Sequence, residues 1–335
     1  MAVKRNETDY MYSSARARSL ENRIAGAERL SHLADAENSA AIIANLSDLG
    51  FEVKLDEKGD FYREATLATL LTEGYSEAEK MVSDPAFFSF LRYGYDCHNV
   101  KTMIKCFFRG VSCDGMLIPL GSVDVAALAE AYKNKDYRCL PANMAEAAKT
   151  AEEAFAATSN PQKVDLILDR ACYADMLKNA EEYGIPLALK LVKTKIDLTN
   201  LCSTVRLSLM KLGAGAASFL GEALIGGGYI DTSYWEEEFS AGVGKLAEGL
   251  EYSSYSSLAT CLSGDISLGE LERAADNLWL EVAKEAKYVP FGPEVLIGYL
   301  IALEYEVKNI RILLAGKDAE LSRDVIRERL RESYV

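Results

Sequence analysis

Apolar residues recur along this chain at steps of three and four, and strict alternation is nearly absent, so the pattern predicts helices. Amphipathic helices are expected at about 62–72, 161–183 and 267–287, further helices at 29–46, 140–157 and 243–260, and shorter ones at 12–24, 122–133, 231–240 and 322–333. Ser122, Asp231 and the Asn160-Pro161 step are expected N-terminal caps, and Ser267 with Glu270 spells a capping box. "GFEVKLDEKG" at 50–59 is the one stretch that reads as extended. Three further helices are longer and more apolar. Each follows a proline (Pro85, Pro186, Pro293), which suits a first helical turn, and each runs on to a glycine (Gly110, Gly213, Gly316) placed as a stop.

The most apolar of these, "PEVLIGYLIALEYEVKNIRILL" at 293–314, admits an acid and an amide one turn apart, Glu306 and Asn309. A buried polar group without a partner costs about 1–3 kcal/mol, so the pair calls for a reason. The same pair occurs twice more. "DCHNVKTMIK" at 96–105, "DLTNLCSTVR" at 197–206 and "EVKNIRILLA" at 306–315 all place an acid, then Asn three residues later, then a branched aliphatic, then another apolar residue four further on. The aliphatics are Val100, Leu201 and Ile310, followed by Ile104, Val205 and Leu314.

Such a period predicts one helical module used three times, over 1–118, 119–228 and 229–335. The expected joints are 110–121 and the Gly-rich 213–228. Residues three apart on a helix share a face, so Asp96/Asn99, Asp197/Asn200 and Glu306/Asn309 each form one polar stripe. The expected role is packing inside each unit through a hydrogen-bond network between helices. Two other roles stay open: lining a shared axis with Arg206 and Arg311 as charge partners, or a chemical site. Three copies favour architecture over catalysis, which rarely needs its carboxylate in triplicate.

Composition narrows the class. The chain has 335 residues, 49% hydrophobic, with only seven prolines, enough for a large helical core. Its net charge of −14 repels phosphate backbones and anionic lipid, which argues against nucleic-acid binding. Residues 220–285 hold thirteen Asp/Glu against three Lys/Arg, a solvated face or one that meets a basic partner. Seven cysteines, none in a C-x-x-C pair, fit buried thiols in a reducing, cytoplasmic compartment. The start "MAVKRNETDYMYSSARARS" lacks the apolar core of a signal peptide, and no window is apolar enough to span a membrane.

Candidate chemistry is sparse. The two histidines, His32 and His98, lack metal-ligand spacing, and His98 beside Asp96 points away from it on a helix. "GAGAAS" at 213–218 has neither the preceding strand nor the third glycine of a dinucleotide loop. There is no P-loop, no D-D-x-x-D, and "YSSYSS" at 252–257 offers hydroxyls without a base beside them. No catalytic, cofactor-binding or metal-binding residues are assigned.

Two terminal stretches carry a likeness. "PFGPEVLIGYLIALEYEVKNIRILLAGK" (290–317), followed by "VIRERLRESYV" (325–335), resembles the end of the C subunit of bacterial and archaeal V-type (A-type) ATPases, whose eukaryotic counterpart is the d subunit. "ARARSLENRIAGAERLSHLADAENSAAIIANLSDLGF" (15–51) is similar to that family's start. The resemblance implies an all-α fold of three similar units around a pseudo-three-fold axis, forming a funnel or cup. It implies a non-catalytic rotor component of the central stalk that needs no cofactor. One side would seat on the membrane proteolipid ring, and the socket would receive the axle made by the D and F subunits. The protein would then lie on the cytoplasmic side, peripheral to the membrane, and pass torque between ATP turnover and H⁺ or Na⁺ transport. The competing readings are a helical repeat scaffold of another complex and a carboxylate-dependent helical enzyme.

Overall fold

The computed structural model describes residues 7–48, 52–55, 58, 61–210 and 215–335. Among these the fold is all-α, and the single β-type pairing is an isolated antiparallel bridge between Leu55 and Phe61. The extended reading of 50–59 therefore reduces to that bridge, with several of its residues outside the described set.

The chain divides into two compact units. One is built from residues 7–85 and Ala275–Val335, the other from Ala86–Ala274. The first opens with α1 (Met11–Glu21), α2 (Ala27–Asp35), α3 (Ser39–Asp48) and α4 (Arg63–Lys80). The expected helix at 29–46 is thus two helices, because Ala36 leaves helical geometry at ψ 147°. The second unit holds α5 (Ser89–Arg109), α6 (Val125–Asn134), α7 (Ala142–Thr158), α8 (Pro161–Tyr183), α9 (Pro186–Met210), α10 (Ala216–Ala223), α11 (Thr232–Ala241), α12 (Val243–Leu250) and α13 (Ser256–Ala259). Helix α14 (Leu268–Lys284) runs across the boundary, and α15 (Pro293–Asp318) and α16 (Arg323–Arg329) complete the first unit.

Helices α5, α9 and α15 have 21, 25 and 26 residues, in the same range as α8 with 23. The first three are those expected after Pro85, Pro186 and Pro293. Pro186 and Pro293 open theirs directly, whereas Pro85 opens a 3-10 turn that leads into α5. Helix α15 is buried on nearly every side, through Val295, Leu296, Leu300, Ile301, Ile310 and Leu313. A helix covered all round has no polar face to keep, which is why this segment shows no amphipathic stripe. In the other unit α5 packs on α8, with Val100, Ile104, Leu128, Met144, Val164 and Leu168 in the core between α5, α6, α7 and α8.

Cap chemistry sets several ends. The Asn160 side chain accepts from Gln162 N, Asp231 from Ser233 N, and the Ser267 hydroxyl from Glu270 N. Ser122 does not cap α6. That role falls to Asp124, whose carboxylate accepts from Ala126 N and Ala127 N. Gly110 ends α5 in the left-handed region at φ 65°, where a side chain would be strained. Gly316 is not a stop: α15 continues to Asp318 past it. A Cβ there would come within 2.7 Å of Ile326 Cγ1, so this glycine serves the close approach of α16. Gly213 lies outside the described residues.

Candidate functional site

All six signature residues are buried, none more than 5% exposed. The aliphatic residues that follow them, Val100, Leu201, Ile310, Ile104, Val205 and Leu314, are buried as well. Each helix therefore turns its signature face inward, and the polar groups must find partners there. They find backbone.

The three asparagines make the same bond pair. Asn99 donates from Nδ2 to Ile118 O at 2.9 Å and accepts from Ile118 N at 2.8 Å. Asn200 does so with Ile225, at 2.8 and 2.9 Å. Asn309 does so with Arg331, at 3.1 and 2.8 Å. A primary amide held this way mimics a peptide unit across a β-bridge: one donor and one acceptor meet both main-chain groups of one residue. Ile118 lies on the segment between α5 and α6, Ile225 lies just after α10, the short helix that follows α9, and Arg331 lies just after α16, the short helix that follows α15.

The acids complete the joint. Asp96 accepts from Ser122 N at 2.9 Å, from the Ser122 hydroxyl at 2.6 Å and from Val123 N at 3.1 Å. Asp197 accepts from Tyr229 N at 2.9 Å, from Ile230 N at 3.2 Å and from the Tyr255 hydroxyl at 2.6 Å. Relative to the clamped residue, the two N–H donors fall four and five positions later in both copies. Three positions later stands Gly121 or Gly228. A Cβ on Gly121 would lie 2.1 Å from Asp96 Oδ1, and one on Gly228 would lie 2.0 Å from Asp197 Oδ1. Six positions later comes the capping aspartate of the next helix, Asp124 or Asp231. "IPLGSVD" (118–124) and "IGGGYID" (225–231) are therefore one connector used twice.

The third copy departs from this plan at the acid. Glu306, one methylene longer than Asp, accepts from Ala25 N at 2.8 Å, just past α1. The Ala25 carbonyl in turn accepts from the Ser333 hydroxyl at 2.9 Å. At the position of Gly121 and Gly228 the third connector has Tyr334, fully buried. Its ring has room because α15 carries Gly298 opposite: a Cβ there would lie 2.5 Å from the Tyr334 hydroxyl.

Burial raises the pKa of Asp96 and of Asp197, although their hydrogen bonds pull the other way. Burial raises Glu306 to about 7, against opposing pulls from Ala25 N and the Arg29 charge. Glu306 has the fewest donors of the three, and its carboxyl borders a cavity of about 270 Å³ lined also by Leu20, Gly74, Tyr299 and Leu303. Arg206 and Arg311 do not reach the signature acids. Arg206 pairs with Glu272 at 2.5 Å and Arg311 with Glu64 at 3.0 Å, both at the surface. His98 turns to Met116 O at 3.2 Å, away from Asp96. Among the described residues no three His, Cys, Asp or Glu side chains gather as metal ligands.

Residues 13–329 match the family described as ATP synthase (C/AC39) subunit. The chain belongs to that family. It is similar to the C subunit of the V-type sodium ATPase of Enterococcus hirae, at 25% identity over 273 residues that cover 81% of this chain and 82% of the relative. The C subunit of the A-type ATP synthase of Methanocaldococcus jannaschii is 26% identical, with 96% of this chain and 86% of the relative aligned. The Thermococcus kodakarensis protein of the same name is 24% identical, with 96% and 90% aligned. C subunits of V- and A-type ATPases are accessory and non-catalytic, so this chain is not itself an enzyme.

The buried stripes tie the backbone of Ile118, Ile225 and Arg331 to α5, α9 and α15. Sequence reasoning located the six helix residues but not Ile118, Gly121, Ile225, Gly228 or Tyr255, their partners. Aligning the two connectors by Ile-x-x-Gly-x-[Val/Ile]-Asp would have found the first four.

Proposed function

We propose that this C subunit is a rotor connector of the central stalk, a rigid socket between an axle of D and F subunits and a membrane proteolipid ring (c/K subunits). In this reading three helical units, 1–118, 119–228 and 229–335, surround a pseudo-three-fold axis as a funnel. The protein carries torque between ATP turnover and H⁺ or Na⁺ transport, lies on the cytoplasmic side, and holds to the membrane through the complex alone. The family assignment across residues 13–329 supports this reading. So does the asparagine clamp: the same bond pair recurs at Asn99, Asn200 and Asn309, as expected of one module repeated. A torque-bearing part needs stiff joints between its helices and connectors, and each clamp ties a long helix to a connector further along the chain. No helix among the described residues is long and apolar enough to cross a membrane, which suits attachment through partners.

The test is reconstitution with purified D–F axle and proteolipid ring, followed by cross-linking and ATP-driven ion transport. The expected result is a complex in which this chain links to both partners, and loss of transport when it is omitted. Cross-links to neither partner, or transport unaffected by omission, would overturn the reading.

A further inference from the structure

The reading above leaves the cysteines unused, and two of them face each other. Cys97 on α5 and Cys172 on α8 are each 3% exposed. The Cys97 thiol donates to Leu168 O at 3.5 Å, and the Cys172 thiol donates to Tyr93 O at 3.4 Å. Leu168 lies one turn before Cys172, and Tyr93 lies one turn before Cys97. Each sulfur thus lies over the turn that precedes the other cysteine. A helical side chain itself points back over its own preceding turn, so the two sulfurs converge on the same strip of the interface.

The helices are antiparallel and tightly apposed here. Lys101 Nζ meets Asp169 Oδ1 at 2.5 Å, and Lys105 Nζ meets Asp165 Oδ1 at 2.5 Å, one turn further along each helix. A hydrogen bond between the two thiols, ahead of burial, raises the Cys172 pKa, while the nearby Lys101 charge lowers it. Asp169, whose Oδ1 accepts from the Cys97 thiol at 3.8 Å, raises the Cys172 pKa as well and ahead of the opposing Lys101 charge, so the Cys172 thiol is held protonated. Cys106, by contrast, turns its thiol to Met116 Sδ at 3.8 Å.

We propose that Cys97 and Cys172 are an oxidation site, a dithiol that closes to a disulfide between α5 and α8. Closure breaks two S–H bonds and forms one S–S bond. Two electrons and two protons pass to a small two-electron oxidant: a peroxide, reduced to two molecules of water or to an alcohol and water, or a small disulfide, released as two thiols. Cys97 lies between Asp96 and Asn99, so the bond would pin the turn of α5 that holds the first connector.

The experiment uses the full chain with Cys139→Ser, since Cys139 is exposed and would link molecules together. Six of the seven cysteines then remain. The folded protein is treated with diamide, unfolded in an alkylating reagent, and its free thiols are counted by mass. The expected count is four, with Cys97 and Cys172 in one cross-linked peptide that dithiothreitol separates. Adding Cys97→Ser or Cys172→Ser is expected to leave all five remaining thiols free after the same treatment. Six free thiols in the folded parent, a bridge between other cysteines, or a bridge that forms only in urea would each overturn the proposal. None of these outcomes depends on the other subunits, so failure here leaves the rotor reading to its own test.

Discussion

Asn200 and Ile225 exchange two hydrogen bonds, 2.8 Å from the amide nitrogen to the carbonyl and 2.9 Å from the backbone N–H to the amide oxygen, with all four atoms buried. Neither group of Ile225 has water to fall back on. Replacing Asn200 by Leu strands one donor and one acceptor at about 1–3 kcal/mol each. The added apolar contact offsets part of this, so a net loss of about 2–4 kcal/mol is expected. Asn200→Asp keeps the acceptor for Ile225 N but sets a carboxylate oxygen against Ile225 O, and should cost at least as much. Hydrogen exchange at the Ile225 amide reads the effect locally. Undiminished protection in Asn200→Leu would remove the clamp from the account of this fold.

Gly228 gives the second test of the same joint. An alanine methyl would sit 2.0 Å from Asp197 Oδ1, and that carboxylate is held by three donors and cannot swing aside without losing them. Gly228→Ala is expected to destabilise by about 2–4 kcal/mol, in the range of overpacked or bond-breaking core changes. Gly121→Ala should act alike through Asp96. Gly226→Ala, two residues away, meets nothing within 4 Å and serves as the control. Chemical denaturation of the three variants checks the order; equal midpoints for Gly226→Ala and Gly228→Ala would contradict it.

Much of this architecture was legible in the residues. Long helices after Pro186 and Pro293 announce themselves by apolar runs that start at a residue fit for the first turn. The acid–Asn pair is visible because a polar interruption in such a run is costly and recurs. Its partners were hidden for a geometric reason. The clamped residue lies 19 positions after Asn99 but 25 after Asn200, because α10 stands between α9 and Ile225 whereas Ile118 follows α5 with no helix between. A fixed-period search follows the helices and misses the loops. Tyr255 was more remote still, 58 residues from Asp197, and only folding brings its hydroxyl there. The network expected between helices proved to be one between helix side chains and connector backbone. That choice is economical, since one side chain satisfies main-chain groups that would otherwise be buried unpaired.

Tyr255→Phe isolates that hydroxyl. It removes one of three donors to a buried carboxylate and leaves the ring in place. A hydrogen bond to a charged group contributes about 1.5–3 kcal/mol, and a loss in that range is expected. The Asp197 pKa, already raised by burial, should rise further because a bond that favours the ionised form is gone. Stability compared at pH 5 and pH 8 should show the variant losing more at the higher pH. An equal loss at both would separate Tyr255 from the charge of Asp197.

The surface pairs behave differently. Arg311 with Glu64 and Arg206 with Glu272 are about half exposed. Exposed ion pairs contribute about 0–1 kcal/mol and fade with salt. Arg311→Ala and Arg206→Ala should each shift stability by less than about 1 kcal/mol, far less than Asn200→Leu. A loss above about 2 kcal/mol for either would mean that its ion pair is worth far more than its exposure suggests.

Glu306 sets a pH dependence whose sign follows from its burial. Its ordinary value is 4.5, and in the folded chain it stands at about 7. The folded state therefore binds the proton more tightly than the unfolded chain does. The resulting stabilisation is fully present below about pH 4.5 and is lost as pH rises through about 7. The gap between the two values corresponds to about 3 kcal/mol across that window. Asp96 and Asp197, also raised, act in the same direction. Glu306→Gln keeps an oxygen for Ala25 N and cannot ionise, so it should flatten the decline between pH 5 and 8 in the unit that holds α15. At pH 8 it should match or exceed the parent; at pH 5 it should not. Glu306→Ala gives no such recovery, because Ala25 N then has no acceptor and a cavity opens beside α1. Melting curves for the parent and both variants at pH 5, 6, 7 and 8 decide the matter. A parent whose stability rises with pH through this window, or a Gln variant with an unchanged slope, would show that Glu306 is ionised in the fold and paired by something other than Ala25 N.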